Sequence, residues 1–285
     1  MKILVEYDNK RDNYTDIDGL ILALKDYSVQ STKYYSIKEI KTIREDNPNI
    51  EIFVKVNKNI FDNELITLEK NLKELDKLNI NGIFFYDLAV LNLKDKLKLK
   101  TPLVWDQTHM VNNYLTCDYY YSMGVEYALL GKEITLNEIL EIIDKSKITS
   151  MVEVVSMPTM AFSRRRLLTN YYKSMDKKSK KHLDITEKVT NNKYLVTETK
   201  DGTSFYDKSI MNGTSIINAL YKNRCPYIIL REFGIKNFDE LVTDTKKYID
   251  NECNDISYIT KYKKLGDNTN FFFKKTVYQV KKNEK

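Results

Sequence analysis

Short apolar segments alternate along the chain with longer segments of helical periodicity. Eight of them have the length and composition of strands, and they cover residues 2–7, 29–34, 50–56, 82–86, 102–106, 127–130, 149–155 and 226–230. Most are apolar almost throughout, which is typical of parallel strands that are covered on both faces. The pattern therefore predicts a chain of strand–helix units.

Helix starts can be located between several of these strands. Ser36, Thr135 and Asn237 each stand three positions before a glutamate, at the start of a periodic segment. This spacing allows a capping box, in which the two side chains satisfy backbone N–H groups at the helix start. We expect helices to begin at these three positions.

Eight strand–helix units in a chain of this length predict an α/β fold, a (β/α)₈ TIM-like barrel. A barrel with an incomplete ring of strands is an alternative. The rival architecture is an open doubly wound sheet. No glycine-rich phosphate loop follows an early strand, which favours the barrel. We expect one domain overall, with the first seven units in residues 1–157 and the last unit and a C-terminal extension in 214–285.

The remaining residues, 158–213, break the regular spacing. They form an insertion after the seventh strand, at the barrel face where active sites are built. Asp201-Gly202 between apolar flanks predicts a two-residue hairpin inside it. Near the end of the chain, 271–280 has the composition of a short terminal strand that packs on the barrel.

Positive charge is concentrated in the insertion. Residues 163–182, called the basic stretch below, carry eight Lys or Arg against Asp176, or +7, whereas the whole chain carries +6. Localised charge of this kind suits a polyanionic partner, and tyrosines beside it can stack on unpaired bases. The candidate RNA-binding residues are Arg164, Arg165, Arg166, Tyr171, Tyr172 and Lys173. A solvated surface loop is the alternative, as is an ion pair between Arg165 and a carboxylate of the barrel mouth.

The sequence gives little support for a metal site or for a membrane-spanning segment. Cys117, Cys225 and Cys253 are widely spaced, and the chain has two histidines, so we expect no disulfide framework and no metal site. No apolar run is long enough to span a bilayer, and the first residues lack a signal-peptide pattern. We expect a cytoplasmic protein with no membrane partner.

Polar residues at predicted strand ends should meet at the barrel mouth. They are Glu6, Lys55, Asn57, Asp87, Asp106, Gln107, His109, Lys132, Glu133 and Arg231. Lys55, Lys132 and Arg231 could together hold a small carboxylate by charge-assisted hydrogen bonds. The alternative is that such side chains pair with one another and seal an empty pocket. His109, Gln107 and Glu133 are the catalytic candidates, although no Asp-His-Ser constellation is visible.

Several motifs resemble the collagenase-like peptidases of unassigned catalytic type, peptidase family U. The family signature reads approximately His-Gly-x-x-Cys-x-x-x-Ser-Gly-Arg-Cys-x-x-Ser. In this chain Ser163 and Arg165 match it, Val155 stands for the histidine, and Thr159 and Arg166 stand for the cysteines. Segments 87–91, 105–117, 132–138 and 272–278 also resemble family motifs, so the resemblance covers nearly the whole chain.

This resemblance implies a function in RNA hydroxylation. Several family members are regarded as RNA-hydroxylation proteins, and the chain is most similar to short members that lack a cluster and resemble the tRNA 5-hydroxyuridine biosynthesis proteins. The implied partners are tRNA and a longer, cluster-bearing paralogue, and the implied pocket ligand is prephenate. Because Thr and Arg cannot ligate iron as thiolates do, we expect no iron–sulfur cluster and no other cofactor in this chain. A collagenase-like peptidase acting on unfolded polypeptide and a non-catalytic scaffold (a pseudoenzyme) are the alternatives.

Overall fold

The computed structural model describes residues 1–274 of the 285-residue chain, without the side chain of His109. Its body is a closed barrel of eight parallel strands with helices outside, which confirms the predicted fold class. The barrel strands, in chain order, are β1 Lys2–Glu6, β2 Gly19–Leu24, β4 Glu51–Val56, β5 Gly82–Phe85, β6 Leu103–Trp105, β7 Tyr127–Leu129, β8 Thr149–Ser156 and β14 Tyr227–Arg231. Parallel pairing of β1 with both β14 and β2 closes the ring.

The helices lie around this ring, except α6, Leu167–Ser174, which belongs to the insertion. They are α1 Ile37–Asp46, α2 Leu65–Asp76, α3 Leu88–Leu97, α4 Tyr114–Ser122, α5 Leu136–Lys145, α6 Leu167–Ser174, α7 Ile217–Lys222, α8 Phe238–Asp250 and α9 Ile256–Tyr262. Short 3₁₀ turns cover Asp62–Glu64, Thr108–Met110, Thr214–Ile216 and Lys263–Leu265. The main core fills the space between strands and helices, and a second cluster fills the barrel interior.

The second barrel strand differs from the prediction. It is formed by β2, Gly19–Leu24, whose six residues are all buried, and not by residues 29–34. The predicted segment crosses the barrel mouth instead and reaches only the short strand β3, Tyr34–Tyr35. There the backbone N–H of Val29 donates to Asn57 Oδ1 at 3.0 Å, and the Ser28 hydroxyl donates to the Lys55 carbonyl. Side-chain bonds thus tie this segment to the end of β4.

The insertion forms a four-stranded antiparallel sheet with one helix, α6. Its strands are β9 Thr159–Ser163, β10 His182–Thr186, β11 Lys193–Thr199 and β12 Gly202–Asp207, in the order β10-β11-β12-β9. The hairpin between β11 and β12 turns at Lys200 and Asp201, one residue earlier than the sequence pattern indicated. Gly202 has a φ of 145° and lies against Ser163 O, so a side chain would not fit there.

Local signals vary in how well they predict the termini of elements. Ser36 and Thr135 form the expected capping boxes of α1 and α5. Helix α8 begins after Asn237 as expected, but Asn237 has left-handed backbone angles and its side chain makes no capping bond, so the capping box predicted there does not form. After β8, the two-residue strand β13, Met211–Asn212, pairs back onto it. Residues 271–273 form a turn, and the rest of the predicted terminal strand lies outside the described residues.

Candidate functional site

A layer of charged side chains lies directly above the apolar interior of the barrel. Interior residues such as Leu4, Phe53 and Val104 stand two positions before a charged one, and side chains two apart in a strand point to the same side. Following the strands around the mouth, the charged residues are Arg231, Glu6, Lys55, Asp106, Lys132 and Glu153, called the charge ring below. Their signs alternate, positive and negative, around the whole circle.

Most neighbours in the charge ring are in contact. Arg231 pairs with Glu6 and, through Nε, with Glu153 Oε2 at 2.6 Å. Lys55 Nζ lies 3.0 Å from Glu6 Oε1, and Lys132 Nζ lies 2.6 Å from Glu153 Oε1. The three predicted pocket cations are therefore brought together, and each already holds a carboxylate of the chain.

Asp106 is the exception. Its side chain is 8% exposed, and it makes no hydrogen bond or ion-pair contact with the described residues, although Lys55 and Lys132 are its neighbours in the ring. Burial raises the pKa of Asp106 to about 6, against the opposing charges of the two lysines. Burial also lowers the pKa of Lys55 to about 8 and that of Arg231 to about 10. The ring is thus closed by contacts everywhere except on the two sides of Asp106.

A cavity of about 410 Å³ opens above the charge ring. The ring forms its floor, and the segment after β2, with Gln30 and Ser31, forms part of its wall. Its roof comes from the small sheet and from the loop after β14, and is lined by Met160, Phe162, Tyr206 and Phe233. The rings of Tyr206 and Phe233 meet edge to face at 5.0 Å. A charged floor thus faces an aromatic roof, within the size range of small-molecule sites.

Three contacts hold the small sheet over the barrel mouth. The Arg164 guanidinium lies 3.4 Å from the centre of the Phe61 ring and donates to Asn59 O at 3.0 Å. Lys58 pairs with Asp201 at the hairpin tip at 3.3 Å. A third contact, between Lys200 and Asp26, joins the same tip to the loop after β2.

The candidate RNA-binding residues of the basic stretch divide into three groups. Arg165 and Lys173 are exposed, and Tyr171 is 51% exposed. Arg164 and Arg166 contact other parts of the chain, Arg166 through Glu198 at 3.5 Å, while its own side chain stays 59% exposed. Tyr172 is buried with Leu168 and Val196 beneath α6, so it supports the sheet and offers no ring for stacking.

Glu198 occupies the N-terminus of α6. Its carboxylate accepts hydrogen bonds from the backbone N–H of Thr169 at 3.0 Å and from the hydroxyls of Thr169 and Thr203. These bonds, with the nearby Arg166, keep the pKa of Glu198 below its ordinary value despite its burial. The helix N-terminus, which elsewhere binds phosphate, is therefore already filled by a carboxylate of this chain.

The catalytic candidates are placed differently from one another. Gln107 is fully engaged: Oε1 accepts from the Trp105 indole at 2.9 Å and from the Tyr120 hydroxyl at 3.2 Å, and Nε2 donates to Tyr86 O. It fixes the loop after β6, and we assign it a structural role. Glu133 is exposed and lines the cavity. His109 belongs to the turn Thr108–Met110, and its side chain is outside the described structure.

The thiols do not fit an iron–sulfur cluster. Cys117, Cys225 and Cys253 are buried in separate places, and burial raises the pKa of their thiols to about 12, about 12 and about 11. Within the described part of the chain no group of three or more His, Cys, Asp or Glu side chains could hold a metal ion. Because a cluster needs converging thiolates, this donor set does not suit one.

Sequence reasoning placed five members of the charge ring at the barrel mouth and missed the sixth. The residue overlooked was Glu153, which contacts both Arg231 and Lys132. Its signal is an acid inside the otherwise apolar strand β8, Thr149–Ser156, because a fully buried carboxylate in a parallel strand needs a cation nearby. Within residues 1–274, no helix combines the length and apolar character needed to cross a bilayer.

Comparisons with known proteins give one family, one relative and several solved structures of low similarity. The model of peptidase family U32 matches residues 14–218. The tRNA hydroxylation protein P2 of Bacillus subtilis (strain 168) is 26% identical over 260 residues, which cover 80% of this chain and 81% of that protein. The U32 peptidase Mk0906 aligns with a TM-score of 0.46 and 12% identity, over 55% of this chain and 70% of that one. The 3-hexulose-6-phosphate synthase of Salmonella typhimurium aligns with a TM-score of 0.48 and 9% identity, over 88% and 98%.

Proposed function

The chain belongs to peptidase family U32, and on that premise we propose that it acts in the hydroxylation of tRNA uridines. In this proposal it is an RNA-binding partner that carries no iron–sulfur cluster, and it works with a longer, cluster-bearing relative. The similarity to tRNA hydroxylation protein P2 over most of both chains supports the direction of the proposal. The observation that carries it is the exposed basic stretch beside a cavity at the barrel mouth.

The electrostatics support a nucleic-acid partner. Arg165 and Lys173 are exposed, and the lysines at positions 177, 178, 180 and 181 are exposed as well. Phosphate binding by such side chains releases counterions, which makes affinity fall steeply with salt. Tyr171 adds one exposed ring on which an unpaired base could stack. The sheet that carries these residues is anchored to the barrel, so bound RNA would lie close to the cavity.

RNA binding can be tested in vitro with an anticodon stem-loop RNA at several salt concentrations. Replacing the exposed Arg165, Lys173 and Lys177 by Gln should weaken binding and reduce the slope of log affinity against log salt by about 2 to 3, since each lost phosphate contact contributes about 0.7 to 0.9. The matched control replaces Lys70 and Lys73 on α2 and Lys77 directly after it by Gln, which should leave the slope unchanged. Equal slopes for both variants would reject the basic stretch as the RNA surface.

The cellular function needs a second experiment. Deletion of the gene should lower the wobble nucleosides derived from 5-hydroxyuridine, measured by mass spectrometry of digested tRNA. Affinity purification from cells, with this chain as bait, should retain a longer cysteine-rich relative. Unchanged nucleoside levels in the deletion strain would reject the proposal.

A small carboxylate such as prephenate is a further proposed ligand of the cavity. Lys55, Lys132 and Arg231 are close together but already paired, so an added carboxylate would compete with Glu6 or Glu153. Lys132, whose side chain is 26% exposed, is the most accessible of the three. Titration calorimetry tests this ligand: prephenate should release binding heat with the wild-type chain and bind more weakly to the Lys132→Met variant. Absence of binding heat with the wild-type chain would exclude it.

A further inference from the structure

The opening in the charge ring has a definite donor and acceptor pattern. Asp106 provides a carboxylate acceptor, and its two neighbours along the ring, Lys55 and Lys132, provide ammonium donors. In their order around the mouth, Lys55, Asp106 and Lys132 therefore offer a donor, an acceptor and a donor. Glu6 and the Ser31 hydroxyl hold Lys55, and Glu153 holds Lys132, so the positions of the two lysines do not depend on Asp106.

A free anion fits beside Asp106 poorly, so the carboxylate ligand proposed above would have to displace Glu6 or Glu153 and not enter this opening. The complete ring contains three cations and three carboxylates, and an anion placed between the lysines would lie against Asp106. A buried carboxylate with no hydrogen bond is costly, and a ligand that donates to it would remove that cost. The opening therefore suits a neutral group that carries one N–H between two carbonyl oxygens.

We infer that the opening at Asp106 binds the imide edge of an unpaired uracil, with N3–H donating to Asp106 and the carbonyl oxygens O2 and O4 accepting from Lys55 and Lys132. This inference rests on the proposed function, and it names the nucleotide and the edge that the cavity reads. Cytosine presents an acceptor at N3, which would face the carboxylate of Asp106 and be repelled. The site thus selects uridine over cytidine by hydrogen bonding.

The rest of the cavity agrees with this ligand. Phe162, Tyr206 and Phe233 in the roof provide apolar and aromatic surface opposite the ring, and bases bind well against such surface. Strand β9, which contributes part of the roof, ends at Ser163 and continues directly into Arg164, Arg165 and Arg166. The phosphates that flank an inserted uridine would therefore lie near the arginines of the basic stretch.

The inference is tested with the full chain and three stem-loop RNAs that differ at one loop nucleotide, which is uridine, cytidine or N3-methyluridine. We expect the uridine RNA to bind roughly ten- to a hundredfold more tightly than the other two, the range of one hydrogen bond to a charged group. N3-methylation removes the donor and leaves both carbonyl oxygens, so this comparison needs no variant protein.

Two variants locate the effect. Asp106→Ala should bind all three RNAs with equal affinity, and Asp106→Asn, which keeps a weaker neutral acceptor, should retain part of the preference. The control Asp95→Asn, an exposed acid on α3, should keep the full preference. Thermal melting of each variant establishes that it is folded.

The outcomes separate this inference from the proposed function. Equal binding of the three RNAs by the wild-type chain would overturn the inference and leave RNA binding by the basic stretch intact. A uridine preference that survives in Asp106→Ala would also overturn it, because another residue would then read N3. Absence of binding to all three RNAs would overturn both.

Discussion

The charge ring and the basic stretch are both rich in cations, and they differ in almost everything else. In the ring, Lys55, Lys132 and Arg231 are largely buried and contact two carboxylates, Glu6 and Glu153. In the basic stretch, Arg165 and most of the lysines are exposed. One set has its counter-charges inside the protein, whereas the other leaves them to be supplied by solvent ions or by a partner.

This difference shows how burial decides what a cation does. Removing an ion from water costs several kcal/mol, so a buried lysine persists only where carboxylates are in contact with it. An exposed lysine loses little by having no partner, and its attraction for a polyanion is screened by salt. The charge ring therefore affects the stability of the fold and the selection of the bound base, and the basic stretch affects the affinity for RNA.

The largest effect should follow from removing a carboxylate of the ring. Glu153→Ala leaves both Arg231 and Lys132 without their shared partner in a buried site, and we expect unfolding free energy to fall by roughly 3–5 kcal/mol. Urea denaturation measures it. The control Asp184→Ala breaks the exposed pair with Lys208 and should cost at most about 1 kcal/mol. Equal losses in the two variants would contradict the contrast between the two regions.

A smaller effect, of opposite sign, is expected at Asp106. Because folding raises its pKa from 3.8 to about 6, ionised Asp106 lowers the unfolding free energy above pH 6, and this loss diminishes progressively as pH falls from 6 to about 4. Asp106→Asn should therefore raise unfolding free energy by roughly 1–3 kcal/mol at about pH 8, and the gain should shrink below pH 6 and vanish near pH 4. Urea denaturation across this pH range checks it, and a gain independent of pH would contradict the assignment.

The smallest effect on stability should come from the basic stretch. Replacing Lys177, Lys178, Lys180 and Lys181 by Gln should change unfolding free energy by no more than about 0.5 kcal/mol, because all four side chains are exposed. The same variant should bind a stem-loop RNA less tightly and with a weaker dependence on salt. A large loss of stability would show that these lysines have partners within the fold.

The local hydrophobic pattern was enough to predict most of the barrel strands, and it failed where the same residues suit a helix as well as a strand. Residues 149–155 and 226–230 are rich in β-branched side chains, and both became strands. The true second strand, Gly19–Leu24, is apolar but consists largely of Leu and Ala, which favour helices equally well. Burial on both faces in the closed ring decides its conformation, and that is a property of the whole sheet.

Prediction of the site met a similar limit. The ends of strands are visible in the sequence, so Lys55 and Arg231 could be placed at the mouth together. The pairing of Arg231 with Glu153 was missed because Glu153 lies inside strand β8, Thr149–Ser156, and not at the strand end, where the polar candidates were sought. Tyr172 was predicted to stack on bases beside the arginines. The helical periodicity of α6 instead places its side chain on the buried face, against Leu168 and Val196.

The tip of the β11–β12 hairpin ties the roof of the cavity to the barrel by two bonds of unequal sensitivity. The pair between Lys200 and Asp26 is exposed on both sides, whereas Lys58, which holds Asp201, is only 4% exposed. Rising ionic strength will weaken the outer pair first and leave the inner one nearly intact. The outer pair therefore carries the salt dependence of this attachment, while the inner pair and the contacts of Arg164 with Phe61 and Asn59 keep the sheet over the barrel mouth.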